Sequence, residues 1–434
     1  MKDRRIYQLR PLQSGVSTEF PTLHEHYGNA VWNSENWRVK QKSIQKRPGY
    51  LEDRDLGSGI EIQRICKYDK IDATSFTLLL TDKNLIKRET ATDKTWSYQT
   101  EMGDYDSTID DITGAVVTGK AGTTWQTDAI AAGDCFILDD DHTADEEPDT
   151  HWGVVQTIDS ETQITLTATY TGTTGSFTGS EKDALIRKVY STPGNERWSW
   201  ATVDDKFCFT NGNSDVHYWD NTGYATALDS TNAKKARYCI EYAERLVLAD
   251  LEVSGSRDPL TVQWSKNGDP TDWTDQTAGS AALLQSSDFI TGLGKTGGNL
   301  VVYRSDSITF GTRSGRPNAP ILFPSTTPGV GMSAPWSLVD VKGTNAWVWR
   351  DNFYILNGTQ PVSIGDTIRD RFFDIVNEQE LLRVFGWNDV LRREVWWRAN
   401  TSLGVYHFVW NYASNEWYVY NPAHNIFSAG QGAI

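Results

Sequence analysis

Short apolar runs broken by polar turns dominate the chain, and they come in pairs. From Asp351 to Ile368 the sequence DNFYILNGTQPVSIGDTI places a β-rich run, with Phe353 and Ile355 alternating, before Asn357-Gly358. That pair tolerates positive φ in a tight turn, so the phrase predicts a hairpin. Five other stretches share the layout of strand, polar turn and strand: Ser75 to Glu89, Asp204 to Asp220, Arg245 to Ser265, Asn299 to Thr312 and Glu394 to Asn421. After Asp204 the phrases recur at roughly 40 to 60 residues, the spacing of four-stranded units stacked around an axis. The pattern predicts an all-β protein, a β-propeller of about six blades; a pair of irregular β-sandwiches is the competing arrangement.

One stretch interrupts the series. From Asp104 to Lys188 the composition shifts to Thr, Gly, Asp and Ile, and TQITLTATY alternates strictly. This predicts a small β-barrel or sandwich inserted after the first blade, with its two ends close together. The expected organisation is an N-terminal arm and first strands over 1–58, a first blade over 59–103, the insert over 104–188 and the remaining blades over 189–434. Helix is expected in one clear place, Thr367 to Asn377, with Asp366 as cap and Ile368, Phe372 and Ile375 on one face. The stretch GNAVWNSENW reads as a turn or two of helix before a strand and the Pro48-Gly49 turn, an arm able to dock.

Composition agrees with strands: 18 Trp, 18 Tyr and 15 Phe stand beside only 3 Met. The formal charge is -16, from 57 acidic and 41 basic residues. That balance opposes tight binding of nucleic acid over the whole surface, yet suits a wall past which a duplex slides. MKDRR is not followed by an apolar run, and no window approaches about 18 apolar residues, so neither export by a signal peptide nor membrane insertion is expected. Cys66, Cys135, Cys208 and Cys239 are widely spaced without a C-x-x-C pair, which predicts four buried, reduced thiols.

Candidate chemistry is sparse. The acidic run Asp139 to Asp149 offers oxygen ligands but lacks the spacing of a calcium loop, and reads as a solvated loop. His24 and His26 flank Glu25, too close for helical zinc geometry. Thr118 to Trp125 and Ser265 to Trp273 approach the S-x-D-x-G-x-T-W boxes of propeller glycosidases, but the first has Thr118 and Lys120 where the box needs Ser and Asp. The second is out of register. No catalytic, cofactor-binding or metal-binding residue is assigned, no cofactor is expected, and the chain reads as a non-enzyme. Trp198, Trp200, Trp219, Trp264, Trp273, Trp396 and Trp397 could stack on sugars, as in a host-surface glycan-binding tail propeller, or fill the wedges between blades.

The N-terminal GVSTEFPTL and NAVWNSENWRVKQKSIQKRPGY, the FYILNGTQPVSIGDTI hairpin and the C-terminal HFVWNYASNEWYVYN resemble the nozzle proteins of tailed bacteriophages. This family is also called tail tubular protein B or packaged-DNA stabilisation protein. The insert resembles a small β module of phage virion proteins. The resemblance implies a structural subunit of a homo-oligomeric ring in the virion tail, a hexamer, assembled in the host bacterial cytoplasm below the portal and adaptor. Such a ring would meet the head-to-tail adaptor and other tail proteins and pass genomic DNA through its lumen without sequence-specific binding. Arg38, Lys40, Lys42, Lys46 and Arg47 would then face acidic surfaces of partner chains.

Overall fold

The structure, a computed structural model, describes residues 37–40, 43–46, 61–88, 96–103, 105, 107–142, 151–192, 194–228 and 235–421. Six four-stranded antiparallel sheets follow one another, each a meander in chain order. They are blade I (62–98), blade II (199–227), blade III (235–282), blade IV (290–328), blade V (339–363) and blade VI (385–420). Five of the six hairpin phrases contain the second and third strands of a blade, and the sixth, Asp351 to Ile368, contains the third and fourth strands of blade V. The first strands of neighbouring blades touch one another, as in blades II and III, III and IV, and V and VI. They therefore form the inner wall of a six-bladed propeller.

The blades are glued by apolar wedges. Tyr68, Leu78 and Leu80 of blade I pack on Trp198, Phe207 and Trp219 at blade II. Cys208 and Val216 meet Leu246, Leu248 and Trp273 between blades II and III, and Trp264 lies with Leu300 and Val302 between III and IV. Tyr303 and Phe310 meet Trp347 and Tyr354 between IV and V. Phe353, Trp397 and Trp417 pack around Phe372 between V and VI. A buried side chain of this size contributes about 1.5–3 kcal/mol on leaving water, so these wedges supply the main force holding the ring. Where blade VI returns to blade I, no single apolar cluster spans the gap among the described residues; a polar cleft takes its place.

The insert is a closed barrel of six strands. Strands Thr108–Thr113, Val116–Gly119, Gln163–Leu166, Gly153–Ser160, Cys135–Leu138 and Lys182–Arg187 pair in that order, and the last returns to the first. Trp125, Phe136, Val155 and Ile164 fill its interior. The barrel's entry and exit pair directly, Gly103 opposite Ile186 and Met102 opposite Arg187.

Local details depart from the expectations. In the Phe353–Asn357 hairpin, Asn357 stays in the strand opposite Gln360, and the two-residue turn is Gly358-Thr359 with Gly358 at φ 64. The helix is shorter than expected, Arg369–Ile375, with Ile368 at the cap position and no side-chain cap. Asp366 instead accepts from Asn352 Nδ2 (2.7 Å) and Ser363 Oγ (3.2 Å). A second helical turn, Glu378–Leu381, is capped by Asn377. The hairpin Trp37–Lys40 and Ser43–Lys46 lies beside the outermost strand of blade VI, while GNAVWNSENW falls largely outside the described residues. Among the described residues no helix is long and apolar enough to cross a membrane.

Candidate functional site

The connections that carry the chain from the outer strand of one blade to the inner strand of the next gather at one end of the axis. Three of them interlock there. The Trp336 indole donates to the carbonyl of Asn195 (3.1 Å), and Arg383 Nε donates to Asn195 Oδ1 (2.7 Å). Arg64 donates to the Trp198 carbonyl (3.0 Å) and holds its guanidinium 5.6 Å from the Trp336 ring centre. Tyr238 packs on the same indole. Arg197 donates to the Gln63 carbonyl (3.1 Å) and lies 3.8 Å over the Phe385 ring, with Arg398 5.8 Å from that ring. Only a position on the axis lets groups from blades I, III and VI meet the linkers that enter II, V and VI. Among the described residues the propeller axis is therefore filled at this end.

Two polar basins open beside this plug. The larger, 460 Å³, is lined by Glu196, Arg237, Asp250 and Arg257 among others. Glu196 accepts from Arg237 Nε (2.7 Å), and the nearly inaccessible Asp250 carboxylate receives a fork from Arg257, whose Nε lies at 2.6 Å. Asp250 sits at φ 57 where the pairing of its strand slips between Ala249 and Leu251. A left-handed, non-glycine residue at a bulge re-aims its side chain, here toward the basin. Burial pulls the Arg237 proton affinity down, but Tyr238, Glu196 and Asp250 together hold it above the usual arginine value.

The smaller basin, 270 Å³, lies between blades I and VI and is lined by Glu61, Gln63, Asp82, Arg197, Arg383, Arg398 and their neighbours. Burial, reinforced by the nearby Arg64 and Arg398 charges, pushes the Arg197 pKa down to about 9. Burial lowers Arg398 as well, with Glu61 and Glu380 opposing it. Burial raises the Asp82 carboxyl above its ordinary value.

The residues singled out in the sequence lie elsewhere. Trp198, Trp219, Trp264, Trp273, Trp396 and Trp397 are buried, and half-buried Trp200 stacks on Phe207 with ring centres 5.5 Å apart. They fill the blades and the wedges between them. In the acidic run, Asp140 pairs with Lys182. Asp141 accepts from Thr173 N (2.8 Å) and Tyr170 Oη (2.9 Å); positions 143–150 lie outside the described residues. Trp125 of the first box-like stretch is a barrel core residue donating to Ser107 Oγ (2.7 Å). In the second, Asp269 and Asp272 close local turns onto Thr271 and Thr274. Cys66, Cys208 and Cys239 are buried free thiols, and burial raises the Cys239 pKa to about 12. Cys135 is only half-buried, a correction to the expectation of four buried thiols. His24, Glu25, His26, Lys42 and Arg47 lie outside the described residues, and Arg38, Lys40 and Lys46 fall on the N-terminal hairpin.

No protein-family model matches the sequence, and no curated protein does. Solved structures that align with it include the BBS1 N-terminal domain in complex with ARL6, at 10% identity over 70% of this chain and 83% of that one, with a TM-score of 0.32. YCF48 bound to a D1 peptide aligns at 11% identity over 74% and 84%, with a TM-score of 0.29. The endosialidase of phage phi92 aligns at 10% identity over 78% of this chain and 52% of that one, with a TM-score of 0.24. Similarity this low carries no functional argument, and the propeller assignment rests on the six sheets themselves.

Proposed function

We propose that the chain is a structural subunit of a bacteriophage tail nozzle, with copies of itself, six in number, surrounding the DNA exit path. The observation that carries this reading is the plugged axis: Trp336, Phe385 and their arginines fill it at one end, so a conduit has to run between copies. The acidic balance of -16 suits a lumen that repels phosphate. A ring needs each subunit to carry two unlike faces, and this one carries a barrel after blade I and a hairpin beside blade VI. Leu391, 94% exposed, and Ile71, 80% exposed, project from first-to-second strand turns of blades VI and I and would be covered by a neighbour. The subunit acts as a gate and scaffold, meeting the adaptor above and carrying out no catalysis of its own.

Of the seven tryptophans named for the glycan-binding alternative, six are buried, and half-buried Trp200 is stacked on Phe207. Particles assembled without this chain should package DNA and then lose it or fail to deliver it. Particles that keep their DNA and lose only adsorption to cells would replace the nozzle reading with receptor recognition.

A further inference from the structure

A separate group of arginines lies between blades III and IV, at the end of the propeller opposite the axial plug. The first-to-second strand turn of blade III and the third-to-fourth strand connections of blades III and IV enclose a basin of 330 Å³ there. Arg245, Arg313 and Arg316 line it, and among the described residues Glu244 is the only carboxylate that does. Arg245 opens the second strand of blade III and is 7% exposed. Both of its hydrogen bonds leave from Nη1, to the Ala243 carbonyl (3.0 Å) and to Asn267 Oδ1 (2.9 Å). The Nε–H has no acceptor. Buried donors are nearly always satisfied, so a guanidinium edge left without an acceptor beside a polar basin points to one that enters from outside the chain.

The acids nearby do not neutralise the group. Among the described residues none of the three arginines forms an ion pair. Glu244 is exposed and reaches Arg245 only through Asn267, whose Nδ2 donates to it (3.1 Å). Glu241 is taken by Lys295 (2.8 Å), and Asp275 closes a turn onto Thr277 Oγ1 (2.6 Å). Burial lowers the proton affinity of Arg245, Glu244 opposes this, and the Arg313 charge lowers it further. Three cations beside one carboxylate reverse, locally, the sign of a chain whose charge is -16.

We propose that this basin binds a small phosphate dianion, held by the free edge of Arg245 and closed over by Arg313 and Arg316. A guanidinium presents its donors as a planar fork that fits two oxygens of one phosphate, and every phosphate oxygen is an acceptor, the group that the Arg245 Nε–H lacks. Arg313 and Arg316 are exposed and stand on the connection between the third and fourth strands of blade IV, so they add charge at the mouth. The overall charge of -16 opposes a long polyanion far more than one small ion, which makes the free ion, and not a DNA backbone, the source of the phosphate. The site is complete within one subunit and does not depend on assembly into a ring.

The test is isothermal titration calorimetry of the full chain with sodium phosphate at constant ionic strength, with sodium chloride and a short duplex DNA as parallel titrants. The expected result is heat that saturates at one phosphate per chain, with none from chloride. Exchanging both exposed arginines, Arg313→Gln with Arg316→Gln, should leave the melting temperature within about a degree of wild type and weaken phosphate binding by about tenfold or more. Arg245→Lys keeps the charge and loses the fork, and should weaken binding at least as much. No saturable heat from phosphate in wild type overturns the proposal, as does wild-type affinity in the double variant or a response to the duplex alone. Should Arg245→Lys fail to fold, the double variant decides, because its two positions are exposed.

Discussion

Trp336 and Asn195 lie 141 residues apart in the chain and meet on the propeller axis, the indole Nε1 donating to the asparagine carbonyl at 3.1 Å. The contact ties the linker entering blade V to the linker entering blade II. Trp336 is buried against Tyr238 and Phe385 in the wedge that spans blades III and IV. Trp336→Ala should therefore cost about 3–5 kcal/mol, whereas Trp336→Phe, which keeps a ring and loses the hydrogen bond, should cost about 1 kcal/mol more than its packing change. Urea unfolding of the two variants separates these terms; an alanine variant as stable as wild type would show that the axis is not a structural hub.

Close backbone approach creates a second weak point. A Cβ on Gly331 would fall 2.4 Å from the Arg304 and Ser305 backbone, which no side-chain rotation relieves. Gly331→Ala should lower stability by at least about 1–3 kcal/mol, the usual cost of overpacking, measured by the same urea titration.

Alkaline pH should unfold the protein early. Burial raises the phenol pKa of Tyr68, Tyr190, Tyr238 and Tyr303, and burial with the Asp351 hydrogen bond raises Tyr354 to about 12. The folded state keeps these protons where the unfolded chain, with phenols near pH 10, releases them, so stability falls as pH rises above about 10. Arg197 opposes this trend, because a depressed folded-state pKa of about 9 lets the fold shed a proton that the unfolded chain retains. The tyrosines outnumber it. Melting temperatures from pH 8 to 11 should hold steady and then drop, with phenolate absorbance at the drop; a flat profile would contradict the burial argument.

The barrel should be dispensable for the propeller. Its entry and exit are paired at Gly103–Ile186 and Met102–Arg187, and the chain beyond is pinned to blade I by Tyr190 N donating to the Lys83 carbonyl (2.8 Å). Replacing 104–188 with a short Gly/Ser linker should leave one cooperative unfolding transition in calorimetry. A broad or absent transition would mean that the barrel helps hold blade I.

If copies associate through blades I and VI, a charge on the exposed turn should weaken the ring without touching the fold. Leu391→Asp should shift the purified protein, or the particle-bound ring, toward single subunits in native mass spectrometry while its melting temperature stays within about a degree, since surface changes usually cost within ±0.5 kcal/mol. An unchanged assembly would remove this turn from the interface.

The propeller is legible because each blade advertises two adjacent strands as a hairpin with polar turn residues between apolar runs, so Leu78 to Leu85 and Val395 to Tyr420 can be read locally. Asp366 misled because a carboxylate before an apolar helical face looks like a cap, while in the fold the side chain of Asn352 claims it first. The tryptophans carry no signal that separates an exposed platform from a wedge; only ring closure decides. The axial arginines were invisible for the same reason. Arg64, Arg197, Arg237 and Arg398 occupy four different segments with no shared motif, and nothing short of the closed ring places them together.

Cryo-electron microscopy of the assembled particle tests the central proposal most directly. The account predicts a ring of copies of this propeller and barrel below the adaptor, with DNA density passing between the subunits and no density through any single propeller axis. Propellers found at the tips of tail fibres, away from the DNA path, would contradict it.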